Sequence, residues 1–287
     1  MSSTPFLLIG NSGMLGTTFE RLMNHNALPY TALDFPAFDL TRPDHVNSAI
    51  TPGVRLVINC AAWTDVDGAE AKEDAANAVN ASGVRLLADR CAMVGATLVT
   101  YSTDYVFSGV ATAPYRVNEP RDPLNAYGRS KARGEELLEQ SGARWYNIRT
   151  SWLYAPWGKN FVKTIAGLLK TKPSIKVVND QRGRPTSAEH LASTTLQLMD
   201  VDAHPGTWHV TDGGECTWFE FAGQIRSLLA ARGEQVGEVL PCSSDEFPRP
   251  AKRPAYSVLD ISATKAAVGE VPDWTANLAA VVKRLDR

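Results

Sequence analysis

Cysteine is scarce in this chain of 287 residues. The four, Cys60, Cys91, Cys216 and Cys242, lie far apart and form no CxxC pair. That excludes a disulfide framework and a thiolate zinc site, and it fits a reduced compartment. Histidine is equally sparse: His190 beside Glu189, and the neighbours His204 and His209, match no zinc-ligand spacing, so no metal site is expected. An excess of charge of either sign is missing as well. Lys and Arg total 29 against 31 Asp and Glu, which gives no electrostatic ground for nucleic acid or an anionic membrane as partner. No apolar stretch approaches the roughly 18 residues of a bilayer span. The opening residues have no basic leader ahead of their short apolar run, so no signal peptide is expected and a cytoplasmic protein is. Internal repeats and low-complexity tracts are absent too. What is present, 44% hydrophobic and 21% charged residues, is ordinary globular usage and excludes disordered and fibrous classes.

Through the first half, apolar runs of strand length alternate with helical periodicity. Strands are expected at 5–9, 30–33, 54–59, 96–101 and 143–150, with helices at 14–25, 44–50, 69–93 and 125–140. Such alternation predicts βαβ units and an α/β fold with a doubly wound, Rossmann-type parallel sheet. After residue 151 the pattern loosens. Helices are expected at 160–170, 187–199, 218–231 and 277–285, short strands at 175–178 and 208–210, and an irregular proline-rich stretch over 241–254. The expected layout is a dinucleotide-binding domain over 1–151 and a smaller, mixed α/β substrate lobe over 152–287. The boundary is approximate, and the chain is free to cross back.

The first βα turn reads Gly10-Asn11-Ser12-Gly13-Met14-Leu15-Gly16. Gly10 permits a tight turn, Gly13 a close approach of backbone to a pyrophosphate, and Gly16 close packing of helix on sheet. The phosphates would meet the positive N-terminus of the helix. Asp34 closes the second strand 18 residues after Gly16, where an acid can bind the adenosine ribose hydroxyls. Phe35 and Pro36 follow it rather than an arginine, so local charge leans toward NADH over NADPH.

Tyr127-Gly128-Arg129-Ser130-Lys131 puts a tyrosine and a lysine one helical turn apart, on one face. A lysine beside a phenol is expected to lower the tyrosine pKa, and it can also hold a nicotinamide ribose. This helix follows the strand that ends in Ser102-Thr103-Asp104-Tyr105, and strand ends of an open parallel sheet are where ligands sit. Thr103 can then donate a second hydrogen bond to a carbonyl oxygen that Tyr127 protonates. The combination describes hydride transfer.

At this point the chain resembles the dTDP-4-dehydrorhamnose reductase family of extended short-chain dehydrogenases/reductases. The segments that carry the resemblance are GNSGMLG (10–16), NCAAWTDVDGAE (59–70), YSTDYVFSG (101–109), PLNAYGRSK (123–131), RTSWLY (149–154), NDQRGRPT (179–186) and KRP (252–254). The resemblance implies that Thr103, Tyr127 and Lys131 form a catalytic trio. It also implies that Asp39 and Leu40 flank the adenine and that Ala61 and Ala62 lie along the cofactor. Val66, Asp104, Tyr105 and Trp152 would face the sugar of a nucleotide-sugar substrate. The family uses NADPH and often NADH, which leaves the cofactor open between the two. Trp63 departs from the family's run of alanines. Some members bridge subunits through Mg²⁺ on glutamates; here only Glu189 matches and Thr18 occupies the first-helix position, so Mg²⁺ is not expected and a homodimer is left open.

Arg182, Arg184, Lys252 and Arg253 could clamp a diphosphate or be solvated charges, with Arg253 the best choice for substrate. Asn80 could carry a relay water or bond the backbone, and Trp145, Trp208, Trp218 and Trp274 read as packing residues. The expected activity is NAD(P)H-dependent reduction of the 4-keto group of dTDP-4-dehydro-β-L-rhamnose. Two alternatives stand beside it: a reductase of another nucleotide-linked 4-keto-deoxysugar, and a non-catalytic regulatory subunit of the same fold. A sugar-nucleotide 4,6-dehydratase is disfavoured, because Tyr105 stands where those enzymes carry a glutamate.

Overall fold

The computed structural model describes residues 5–285. Residues 1–4, part of the opening segment read for a leader, lie outside the described residues, as do 286 and 287. The first half supplies β1 (Phe6–Ile9), α1 (Met14–His25), β2 (Tyr30–Leu33), α2 (Pro43–Ala49), β3 (Leu56–Asn59), α3 (Val66–Ala71), α4 (Glu73–Asn77), α5 (Val84–Val94), β4 (Thr97–Thr103), α6 (Ala126–Glu139) and β5 (Arg144–Thr150). The second half adds β6 (Leu153–Tyr154), α7 (Phe161–Thr171), β7 (Ser174–Val178), β8 (Arg182–Gly183), β9 (Thr186–Ser187), α8 (Ala188–Asp200), β10 (Gly206–His209), β11 (Cys216–Thr217), α9 (Trp218–Ala231), β12 (Glu238–Cys242), α10 (Ser262–Val268) and α11 (Trp274–Val282).

Six strands form one parallel sheet in the order β10-β5-β4-β3-β1-β2. The chain leaves β1 toward β2 on one side and resumes with β3 on the other, which opens a crevice at the C-terminal ends of β1 and β3. Helices cover both faces because each carries one apolar stripe. On α1 the stripe is Leu15, Phe19 and Met23, packed with Leu191 and Leu198 of α8. On α5 it is Val84, Leu87 and Cys91, packed with Val46 of α2. A separate core lies in the second half, where α7, α9 and α11 bury Ile165, Phe221 and Leu278 together.

Besides the short elements β6, β8, β9, β11, β12 and α10, which no expectation covered, two regions differ from the sequence expectation. The strand expected near 208–210 is β10, and it pairs with β5 at the edge of the main sheet. The single helix expected over 69–93 is broken at Lys72, the C-cap of α3, and Ala78–Gly83 is wound as a π-helix. The cause of the π segment is packing. The Asn80 carbonyl lies against Gly134 of α6, where a side chain would collide with it. The Asn80 side chain, meanwhile, accepts from Trp63 N (2.9 Å) and donates to Trp63 O (3.0 Å) and Ser130 Oγ (2.9 Å). The backbone bond expected of Asn80 is present on Trp63.

Helix α6 begins cleanly because the Asn125 side chain caps the Gly128 amide. Its far end is fixed by a buried ion pair. Glu135 meets Arg149 of β5 at 2.6 and 2.9 Å, with both side chains at 3% exposure or less. Burial pushes the Glu135 carboxyl up, and Arg149 outweighs it, leaving the group below the usual carboxylate range. Replacing Arg149 by Leu leaves Glu135 in the core with Arg121, at the longer distance of 3.2 Å, as its remaining ion-pair partner among the described residues. The variant should lose about 3–5 kcal/mol in urea unfolding, and Arg149→Leu/Glu135→Leu should regain most of it. A double variant as unstable as the single one would mean that shape, not charge, is what this position needs.

Candidate active site

One cleft of about 880 Å³ opens along the C-terminal ends of β1, β3 and β4 and is closed from the far side by residues after β5. The glycine turn forms one end. Gly10 sits at φ +79°, and a Cβ there would come within 2.6 Å of Ala61 N. A Cβ on Gly16 would strike the Gly10 carbonyl, so both glycines are demanded by the chain's own packing. Gly13 is different: its added Cβ would meet nothing nearer than Gly10 O at 3.4 Å. The absence of a side chain at Gly13 therefore serves the cleft. As N-cap of α1, Gly13 provides no side-chain acceptor, and the first turn holds no acid. The amides there suit an anion such as a diphosphate, and the residues present fit a dinucleotide.

Asp34 accepts from Ser12 N (2.7 Å) and Phe35 N (2.8 Å), so the acid expected at the ribose also braces the glycine turn. Met14, Leu15, Asp39, Leu40, Ala61 and Ala62 line the same cleft. Asn11 does not; its amide donates to Glu20 at 3.0 Å.

The other end gathers Thr103, Asp104, Tyr105, Tyr127 and Lys131. Strand β4 runs two residues beyond its expected end, which brings Thr103 to the rim as its last residue. The Thr103 hydroxyl donates to Asp104 Oδ1 at 2.9 Å and accepts from Tyr105 N at 3.2 Å. Lys131, 7% exposed, donates to the Tyr101 carbonyl at 3.0 Å, and burial pushes its ammonium down to about 8. The pairing expected between lysine and phenol is not what governs Tyr127. Burial and the Asp104 charge raise the Tyr127 hydroxyl well above the usual range, partly offset by Thr103. The phenol keeps its proton at neutral pH, because Nζ is committed to a backbone carbonyl and desolvation dominates.

Val66, Tyr105 and Trp152 stand along the cleft between these two ends and the second half of the chain. Arg253 is set back from it. Its guanidinium bonds both Asp67 oxygens and the Ala251 carbonyl, and it lies beside Tyr105. Among the described lining residues, the cations are Lys131 and Lys159; Arg182, Arg184 and Lys252 are not at the cleft. Trp218, which sequence spacing counts among packing tryptophans, lines it as well. It stacks on Trp152 with centroids 3.6 Å apart and planes 10° off parallel. The available signal was its place as first residue of a helix behind a Thr217/Glu220 capping box.

Elsewhere, both Glu189 oxygens accept from Arg284, at 2.7 and 2.8 Å. Among the described residues no helix is long and apolar enough to cross a membrane.

Asp104 yields a direct check. Burial pushes its carboxyl up from 3.8 to about 6, so between those values the folded chain holds a proton that the unfolded chain has lost. Stability therefore falls as pH rises through this window, by about 3 kcal/mol in all. Asp104→Asn should be free of that fall, and Asp212, which shifts in the same direction, cancels in the comparison. Parallel stability curves from pH 4 to 7 would mean that Asp104 titrates normally.

A family model described as the RmlD substrate binding domain matches residues 4–287. The chain is 41% identical over 285 residues to a dTDP-4-dehydrorhamnose reductase of Streptomyces griseus, covering 95% of this chain and 91% of that one. It is 38% identical to a probable dTDP-4,6-dihydroxy-2-methyloxan-3-one 4-ketoreductase of Streptomyces antibioticus, with 95% and 92% covered. Among solved structures, a dTDP-4-dehydrorhamnose reductase of Bacillus anthracis in complex with NADP superposes with a TM-score of 0.91 at 34% identity, covering 97% of this chain and 98% of that one. A family-model match over residues 4–287, beside relatives 38–41% identical along 95% of the chain, makes this chain a member of the family described as the RmlD substrate binding domain.

Proposed function

We propose that the chain reduces the 4-keto group of dTDP-4-dehydro-β-L-rhamnose to dTDP-L-rhamnose with NADPH or NADH. The observation that carries this reading is the shared cleft: an open Gly13 and uncapped α1 amides at one end, a protonated Tyr127 with Thr103 and Lys131 at the other. The cofactor, when bound, supplies the hydride to the carbonyl carbon. Tyr127, which keeps its proton at neutral pH, donates that phenolic proton to the carbonyl oxygen as that oxygen gains charge. The Lys131 ammonium holds the ribose beside the Tyr101 carbonyl and offsets the charge left on Tyr127. Thr103 turns its hydroxyl from its Asp104 acceptor to the substrate oxygen. Asp34, Asp39 and Leu40 take the adenosine, with Gly10 to Gly16 at the diphosphate and Ala61 and Ala62 along its path.

Val66, Asp104, Tyr105 and Trp152 face the sugar, and Arg253 acts on it from behind Tyr105. Residues 1–151 carry the cofactor contacts together with Val66, Asp104 and Tyr105, and 152–287 bring Trp152 and Arg253 to the substrate side. A second reading, another dTDP-linked 4-ketodeoxysugar as substrate, is favoured by the likeness to the Streptomyces antibioticus protein.

Tyr127→Phe keeps the ring and removes the proton. Turnover with dTDP-4-dehydrorhamnose should fall by about 10²–10⁴-fold while cofactor Kd changes little; near wild-type turnover would sink the assignment. Asp34→Ala removes an acceptor for a free 2′-hydroxyl and a charge that repels a 2′-phosphate. Titrations should show NADH weakened more than NADPH, and equal losses would mean that Asp34 does not discriminate.

A further inference from the structure

The indole of Trp152 is held in place by more than its own strand. Its backbone sits at φ +48°, in the left-handed region that a bulky residue rarely occupies. The neighbouring backbone is pinned on both sides: Ser151 Oγ donates to Arg184 O at 2.7 Å, and Thr186 N donates to Trp152 O at 3.2 Å. Gly183 leaves room for the ring. A Cβ there would come within 2.6 Å of Trp152 Cε2 and 2.9 Å of its Nε1. The ring plane itself is set by Trp218, stacked face to face at 3.6 Å. Trp218 is in turn wedged against Phe161 and Phe221, at 4.5 and 6.3 Å, so the second-half core reaches the cleft through it. Among the described residues this is the one stacked pair of indoles, and both members line the cleft.

From this arrangement we infer that Trp218 is a positioning residue for the sugar of the nucleotide-sugar substrate: it fixes the plane of Trp152 and adds its own rim to the same apolar wall. The inference rests on the reading of Trp152 as a sugar contact. A flat, rigid aromatic wall suits the C–H face and methyl group of a deoxysugar. Tilting that wall displaces the carbonyl from the Tyr127 hydroxyl, and hydride transfer is sensitive to small misplacements. The ring contacts of the pair fall on Phe161, Phe221 and Gly183 and not on the glycine turn or Asp34, so nicotinamide dinucleotide binding is expected to be unaffected by it.

The test compares Trp218→Leu, Trp218→Phe and Trp152→Ala for kcat and KM with dTDP-4-dehydrorhamnose and for NADPH Kd. Circular dichroism supplies a second readout, because stacked indoles couple and give a paired band. Trp218→Leu should lower kcat/KM by at least about 10-fold with NADPH Kd unchanged, and Trp218→Phe, which keeps a flat ring, should recover most of the loss. In the wild-type protein, dTDP-L-rhamnose should alter the paired band and NADPH alone should not. Normal kinetics in Trp218→Leu with the paired band lost would overturn the inference, since the pair would then be packing alone. Should the leucine variant fail to fold, a wild-type band indifferent to dTDP-L-rhamnose overturns it equally. A normal KM in Trp152→Ala would bring down the underlying reading of the sugar wall, whereas a raised KM there beside normal Trp218 variants would bring down only the role of Trp218.

Discussion

A single buried charge pair governs where the chemistry sits. Arg149 on β5 and Glu135 on α6 meet where water is excluded, and losing either leaves the other's buried charge short of its nearest partner. Arg149 also reaches the Val117 carbonyl (2.9 Å) and the His209 ring of β10 (3.3 Å). Burial and the Arg149 charge push that imidazole down to about 3, so it stays neutral as a partner. Four segments distant in sequence thus converge on one guanidinium. Since Glu135 lies one turn beyond Lys131, fixing it fixes the face of α6 that looks into the cleft.

The near end of α6 is held by different means. Asn80, displaced by the π segment, ties the loop after β3 to Ser130, and the glycine at 134 lets the two helices approach until carbonyl meets Cα. Tyr127 and Lys131 are therefore fixed between an ion pair on one side and an amide bridge on the other. In such a site proton affinity follows from burial more than from neighbouring charge. That is why the phenol here keeps its proton and is not a preformed phenolate.

How much of this was legible in the sequence depended on whether the controlling interaction was local. The glycine turn, the strand ends and the Tyr127–Lys131 spacing are written in consecutive residues, and the structure brings them to one cleft. The π segment was not legible, because it answers to Gly134, more than fifty residues away. Nor was the Asp67 partner of Arg253, which shows only when the chain folds back on itself. A charge looks available for substrate in sequence when its partner lies far along the chain. Trp218 was hidden for the same reason: an apolar residue at a helix start is packing in most folds, and only its neighbour Trp152 makes it a surface of the cleft.

The pairing of β10 with β5 bears on how this protein can be divided. Residues 206–209 complete the sheet that the first half begins, so a cut near residue 151 would not separate folding units. A fragment ending there would leave β5 as an open edge with unpaired amides and carbonyls, a template for association with other chains. During synthesis the same edge stays bare until β10 emerges, and the main sheet is finished only after much of the second half has been made.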